Sequence, residues 1–512
     1  MEKILGKGSN NKKHLMAIDL GTSTLKVAIF HTDGKIAVSS SIEYPLSYPG
    51  KELIENDVEK YWETIVSLVK KTLKELGDDP SKILAISLSS QAETIVPVDK
   101  DIRPLRPAIV WLDGRSVKEA REISFAFDED KLFGITGLPS SDPMWPASKI
   151  KWIEKNEPEI FKKTYKFLLL EDYVSYRLTG KIFGESTVYN SSYYYDINKL
   201  EYYKPMLDYL NITEDKLPEV VYTGTVMGNI SNEAATETGL STSTKFVAGA
   251  MDQVAGAVGA GNIREGTATE TTGTAFAMIV TTDKPVIDKD SRLVCQLHAI
   301  KGKYCLMPFS MTGGMVLKWF KDNFFDSGDS NKLSDNEIYD ILTSEASEIS
   351  AGSEGLIMLP HITGAFFPEN NPKARGVFFG ISIDHKRGHF TRSILESIAF
   401  MLKRDLEIFS KNNIKIGSII SMGGGAKSSL WNQIKADITG TELLIPENIE
   451  TALLGAAIIA GMGIGIYEDF GTATSKSVSI EKKYSPDSKN KSIYDIAYKK
   501  YVGLYDKVKD IF

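Results

Sequence analysis

One short device occurs twice in this chain and limits what it can fold into. Leu15-Met-Ala-Ile-Asp19 reads as a buried strand, Gly21-Thr-Ser-Thr24 as a turn, and Leu25-Lys-Val-Ala-Ile-Phe30 as an alternating second strand. Roughly half a chain later, Thr269-Glu-Thr-Thr-Gly273-Thr274-Ala-Phe-Ala-Met-Ile-Val280 repeats strand, Gly-Thr turn and strand. Two copies of one β-turn-β unit predict two similar domains facing each other. Length agrees, because 512 residues exceed what a single ordinary core fills.

Around the first copy the pattern alternates. Thr32-Asp33-Gly34 turns the chain and Lys35 to Ser41 returns as a third strand. A helix is expected over Asp57 to Leu76, then a strand Ile83 to Leu88 and a polar loop Ser89 to Thr94. Strand–helix alternation of this kind signals an α/β core. The Gly/Ala-rich run Ala255 to Gly261 places a boundary near Asn262, giving domains over 14–261 and 262–512. Met1 to Lys13 is polar and basic without an apolar stretch, and is expected to be a disordered leader, not a signal peptide. Thr451 to Tyr467 carries no charge, but it holds four glycines. It also falls short of the roughly 20 apolar residues that span a bilayer. A buried helix close-packed through Gly455 and Gly461 is expected there, and from Asn490 onward a packing helix. The chain is expected to be soluble, with no membrane partner.

The formal net charge of -7 argues against a broad nucleic-acid surface, though not against a local cationic pocket. The only cysteines, Cys295 and Cys305, form no CxxC pair and are expected to be reduced, buried thiols. The six histidines show no HExxH or other metal-ligand spacing.

The chemistry these residues can support is phosphoryl transfer. It needs backbone donors around phosphate oxygens, a carboxylate to organise Mg²⁺, and a base aligned with an acceptor hydroxyl. Gly21-Thr22-Ser23-Thr24 supplies the first, since glycine lets N–H groups approach an anion and hydroxyls add donors. An ordinary hairpin turn has the same residues. Asp19, just before it, sits at the end of a buried strand and needs a cation or donors, or else caps the turn. Gly273-Thr274 offers a matching loop. In Val247-Ala-Gly-Ala-Met251-Asp252-Gln253 a strand ends on one carboxylate and a Gly/Ala-rich helix begins. Asp252 is then a base or an N-cap, and the helix dipole should lower its pKa. Ile419 to Met422 runs into Gly423-Gly-Gly-Ala-Lys427 and a helix from Ser429, where backbone approaches a nucleotide. No GxxxxGK[ST] or GxGxxG motif occurs.

In this order the residues resemble the FGGY carbohydrate kinases, members of the actin-like ATPase group. The likeness runs from Leu15 to Gly463, through Asp19-Leu-Gly-Thr-Ser23, Trp111-Leu-Asp-Gly-Arg115, Gly249-Ala-Met-Asp-Gln253, Asn371-Pro-Lys-Ala-Arg-Gly-Val-Phe-Phe-Gly380 and Gly423-Gly-Gly-Ala426. The resemblance implies an α/β fold of two ribonuclease-H-like domains with an interdomain catalytic cleft that closes on substrate. It implies ATP and Mg²⁺ as cofactors, a cytoplasmic location, and a small sugar or polyol as partner, with a homodimer left open. It makes Asp252 the catalytic base and Asp19 the Mg²⁺ carboxylate, through water. Thr22, Ser23, Gly273 and Thr274 become phosphate loops, and Gly314, Gly424, Gly425 and Ser429 hold the nucleotide.

Acceptor signals divide. Asn370 to Gly380 resembles xylulokinases, which usually carry Gln-Met-His-Gly where this chain has Gln91-Ala-Glu-Thr94. That loop is similar to the Gln-Arg-Glu-Thr of glycerol kinases, with Ala92 for the arginine. Gln253, Gly137-Leu-Pro139 and Lys149-Ile-Lys-Trp152 are similar to glycerol kinases too. Gln91, Glu93 and Gln253 can pair with hydroxyls, and Met144 or Trp145 can form an apolar wall. A ketopentose such as D-xylulose fits best, with glycerol, erythritol, erythrulose or gluconate as alternatives. Two other classes compete: an actin-like ATPase without a sugar acceptor, and a catalytically dead binding protein. The first has no need of Glu93 and Gln253, and intact Asp19 and Asp252 speak against the second.

Overall fold

The computed structural model describes residues 13–325 and 333–512. The leader expected at Met1 to Lys13 therefore lies outside the described residues, save its last. Two compact units form. The first comprises Met1–Ile263, Cys295–Cys305 and Glu450–Val478, and the second Arg264–Val294, Leu306–Ile449 and Ser479–Phe512. This division differs from a single cut near Asn262, since two later segments return to the first unit.

The first unit is built on a six-stranded sheet. Its order is Val226–Asn229, Lys245–Met251, Ile83–Ser90, His14–Leu20, Thr24–His31 and Ile36–Glu43. His14–Leu20 pairs antiparallel with Thr24–His31, across the turn, and parallel with Ile83–Ser90. Lys245–Met251 extends the parallel set on the far side of Ile83–Ser90. The three parallel strands therefore end together, with Asp19 opposite Ser89 and Met251 opposite Ser90. Carboxyl ends of parallel strands are where α/β sheets hold ligands.

The second unit repeats this plan. Phe276–Thr282 pairs antiparallel with Thr267–Thr272, which runs parallel to Ser418–Met422 and, beyond it, Glu442–Pro446, and Ile480–Tyr484 closes the edge antiparallel. The duplication read from two hairpins thus extends through five strands of each unit.

Buried faces explain the sheets. Met16, Ile18, Leu25, Val27 and Ile29 lie in one core with Trp62, Ile65 and Val69 of the helix Val58–Leu76. That helix starts at Asp57, whose carboxylate accepts from the amides of Glu59 and Lys60, and ends at Gly77 in the left-handed region. On another face, the apolar helix Thr451–Gly463 packs against Asp252–Ala260 and the central strands. It stops at Gly463, and among the described residues no helix is long and apolar enough to cross a membrane. Both cysteines are free and buried.

Candidate active site

The first turn is held from several directions. Gln91 donates its amide to the Gly21 carbonyl at 3.1 Å and accepts from Thr94 Oγ1 at 2.9 Å. Tyr44 donates to the same carbonyl at 2.5 Å. Thr22 Oγ1 accepts from the Trp111 indole at 2.8 Å, and Ser23 stays exposed. Gly21 is required here, because a Cβ would stand 2.5 Å from the Thr24 carbonyl oxygen. Gln91, expected to face substrate, thus has both ends of its amide engaged by protein.

Asp19 lies at the edge of this turn. Ser89 Oγ donates to its Oδ1 at 2.7 Å, and burial holds its carboxyl above the usual range, opposed by Ser89 and Lys26. Lys26 itself pairs with Glu450 at 2.6 Å.

Asp252 is the first residue of the helix Asp252–Ala260, and its Oδ1 accepts from the Gln253 amide at 2.7 Å. The helix terminus was expected to lower its pKa. Instead the carboxyl is pushed up to about 8, first by loss of solvent, then by the charges of Asp19 and Glu93, with the Gln253 amide pulling the other way. Desolvation outweighs one terminal amide and the helix dipole.

Glu93 occupies a left-handed backbone position, φ 61°, uncommon for a residue with a Cβ. Burial raises its carboxyl, offset by Lys149 and a hydrogen bond from Ser191. Lys149 is wholly buried, and its ammonium donates to the carbonyls of Glu93 and Met144. Ser191 lies 3.7 Å from the Met251 sulfur, directly before Asp252, and receives the Gln296 amide at 2.7 Å. Met144, Glu93 and Met251, the residue before Asp252, are therefore linked through Lys149 and Ser191. Trp145 is buried and donates to the Ser140 carbonyl at 3.0 Å, whereas Gln253 is exposed.

Sequence reasoning assigned no role to Lys149, Ser191 or Ser89. Lys149 stood inside a quoted motif, but nothing in its spacing shows that the ammonium turns inward. The segment Ser186–Ser192, which carries no motif, is buried at every residue.

Behind Asp252 the same segment braces the strand. Met251 donates its amide to Thr187 Oγ1 at 2.8 Å, and that hydroxyl donates to Glu185 at 2.6 Å. Burial and like charge hold Glu171, beside Glu185, well above the ordinary carboxylate range.

The second unit holds a cavity of about 850 Å³, within the size range of cofactor sites. Gly273, Thr274, Gly314, Gly424, Gly425 and Ser429 all line it. Gly314 donates its amide to the Gly273 carbonyl at 2.7 Å, and a Cβ on Gly314 would approach that oxygen to 2.6 Å. Ser429 accepts from the Tyr484 hydroxyl at 3.0 Å. Tyr339, Asp340 and Thr343, from the helix Asp335–Ser347, form a wall that the sequence reading missed.

Comparison with known proteins bears on this arrangement. Residues 14–259 match the N-terminal domain model of the FGGY family of carbohydrate kinases, and residues 268–464 its C-terminal domain model. The xylulose kinase of Lactococcus lactis subsp. lactis (strain IL1403) is 31% identical over 97% of both chains. The gluconokinase of Bacillus subtilis (strain 168) is 29% identical over 92% of each. The crystal structure of gluconate kinase from Lactobacillus acidophilus superposes with a TM-score of 0.89 at 25% identity, covering 97% of this chain and 98% of that one. The two-domain, actin-like α/β fold is therefore shared.

Proposed function

We propose that this chain, which belongs to the FGGY family of carbohydrate kinases and is thus an ATP-dependent phosphotransferase acting on an alcohol group, takes a neutral ketopentose such as D-xylulose as acceptor. The observation that carries the acceptor class is Lys149. It is the cation beside Glu93, but it is wholly buried and donates to the Glu93 and Met144 carbonyls. It is spent on the protein and has no free face for an acceptor carboxylate. A hydroxyl-rich, uncharged acceptor suits Glu93 and the exposed amide of Gln253. The similarity to a xylulose kinase supports the same choice.

Asp252 acts as base in this reading. Its carboxylate takes the proton of the acceptor hydroxyl as the oxygen attacks the γ-phosphorus and the bond to ADP breaks. The glycine turns of the second unit hold the nucleotide. Asp19 is the residue that would hold Mg²⁺, and its chemistry fits, since burial disfavours its charge unless a cation or donors compensate. Among the described residues no group of three or more His, Cys, Asp or Glu could hold a metal. Mg²⁺ usually takes one or two carboxylates plus water and substrate phosphate, so it does not need such a group. The ion supplies charge neutralisation on the phosphates. A cytoplasmic location, where ATP and sugar phosphates are used, completes the proposal.

The test is ADP release measured over D-xylulose, L-xylulose, ribulose, glycerol, erythritol, erythrulose and gluconate. A ketopentose is expected to give the highest kcat/KM. Gluconate in that place would overturn the reading of Lys149.

A further inference from the structure

Beneath the nucleotide cavity lies an ion pair that the reaction itself does not use. Glu270 and Lys435 are both fully excluded from solvent, and their charged atoms meet at 2.6 Å. Glu270 stands in the strand Thr267–Thr272, which leads directly into Gly273-Thr274. Lys435 lies on the helix Ser429–Thr439, whose first turn lines the cavity.

The pair gathers three pieces of backbone. Lys435 Nζ also donates to Thr272 Oγ1 at 3.0 Å, and that hydroxyl donates to Glu270 Oε2 at 2.7 Å. From the strand Ser418–Met422, Ser421 donates to Glu270 Oε1. The turn after that strand rests on Thr272: a Cβ on Gly425 would come within 2.8 Å of Thr272 Cβ, and one on Gly423 within 3.0 Å of its carbonyl oxygen. One carboxylate therefore fastens the strand before the first glycine turn, the strand before the second, and the helix after it.

Stability alone is a poor reason for such a pair. Well-packed apolar residues of similar volume often serve as well or better, and buried charges are best attested as devices that fix registry. We propose that Glu270 and Lys435 are positioning residues for nucleotide binding, setting the separation of the Gly273-Thr274 and Gly423–Gly425 turns. The proposal rests on reading the second-unit cavity as the nucleotide site.

The decisive variant is the double substitution Glu270→Leu with Lys435→Met, which removes both charges without leaving either unpaired. ADP affinity by calorimetry, KM for each substrate and Tm are measured together. The expected result is a Tm near that of the wild type, with ADP affinity lowered on the order of 10- to 100-fold, as small misplacements in a preorganised site allow. The acceptor KM stays unchanged. Wild-type ADP affinity in the folded double variant overturns the proposal. Tyr339→Ala, on the cavity wall away from the pair, separates the two claims. If it leaves ADP affinity intact, the nucleotide reading falls; if it weakens binding while the double variant does not, only the positioning role falls. Should the double variant not fold, Ser421→Ala decides. It leaves the ion pair whole and is expected to weaken ADP binding severalfold, and an unchanged affinity overturns the proposal.

Discussion

Asp252 stands at a strand-to-helix junction where two effects oppose each other. The helix terminus and the Gln253 amide favour its anion, while burial and the neighbouring charges of Asp19 and Glu93 favour the acid. The acid wins, with the carboxyl titrating near 8. With Asp252 as the proposed base, catalysis follows its anion, so kcat/KM for the acceptor is expected to rise with pH through about 8. Asp252→Asn removes the proposed base and is expected to lower kcat by about 10²- to 10⁴-fold with ATP still bound. Near-normal turnover in that variant contradicts the assignment. Stability carries the opposite sign. The unfolded carboxyl ionises near its model value of 3.8 and the folded one near 8, so between those values the native state holds the extra proton and loses stability as pH rises. Asp252→Asn should therefore gain in Tm over the wild type progressively from about pH 4 to pH 8, and hold a constant lead above. Asp252 was legible because a lone carboxylate between a strand and a small-residue helix is visible in one dimension. Its pKa was not, since the burial that chiefly raises it and the added charges of Asp19 and Glu93 come from residues far away in sequence. Lys149 and Ser191 were hidden for the same reason.

Two helices of the first unit are pressed together through glycine. Asp252–Ala260 meets Thr451–Gly463 so closely that a Cβ on Gly455 would lie 1.8 Å from the Ala255 carbonyl oxygen, and one on Gly259 would lie 1.9 Å from that of Thr451. These contacts are with rigid backbone and cannot give way to a rotamer change. The sequence showed an uncharged, glycine-bearing segment and so a close-packed helix, but it could not name the partner, which lies almost two hundred residues earlier. Because the partner helix begins with Asp252, the crossing also fixes the proposed base. Gly455→Ala is therefore expected to cost about 1–3 kcal/mol by overpacking. It should also reduce kcat, since the helix must shift and carry Asp252 with it. A melting curve and turnover measured together check this, and unchanged values for both would mean that the crossing is looser than the backbone indicates. By contrast, the strand–turn–strand hairpins were fully legible, because alternation and a Gly-Thr turn are local signals.

The duplication of one five-strand plan in both units gives each a hairpin with a Gly-Thr turn and a parallel set ending beside it. Each copy has been put to a separate use: carboxylates gather at the strand ends of the first, and a glycine-lined cavity opens in the second. Short hairpin repeats in the sequence announced the plan, but the chain's path does not respect the halves. Glu450–Val478 belongs to the first unit although it follows most of the second in sequence. Its helix Thr451–Gly463 packs on the strands His14–Leu20 and Ile83–Ser90, and Leu453, Leu454, Ile458 and Ile459 are buried. Each such side chain contributes roughly 1.5–3 kcal/mol when fully buried, and folded domains are stable by only about 5–15 kcal/mol in total. A fragment ending at Gly261 therefore lacks burial comparable to its whole margin. It would also expose the seam around Gly259. Such a fragment is expected to lack a cooperative thermal transition and to aggregate, and supplying residues 450–478 on a linker should restore the transition. A sharp melt from the bare fragment would show that the late helix is dispensable, and that a single cut near Asn262 is enough to separate the units.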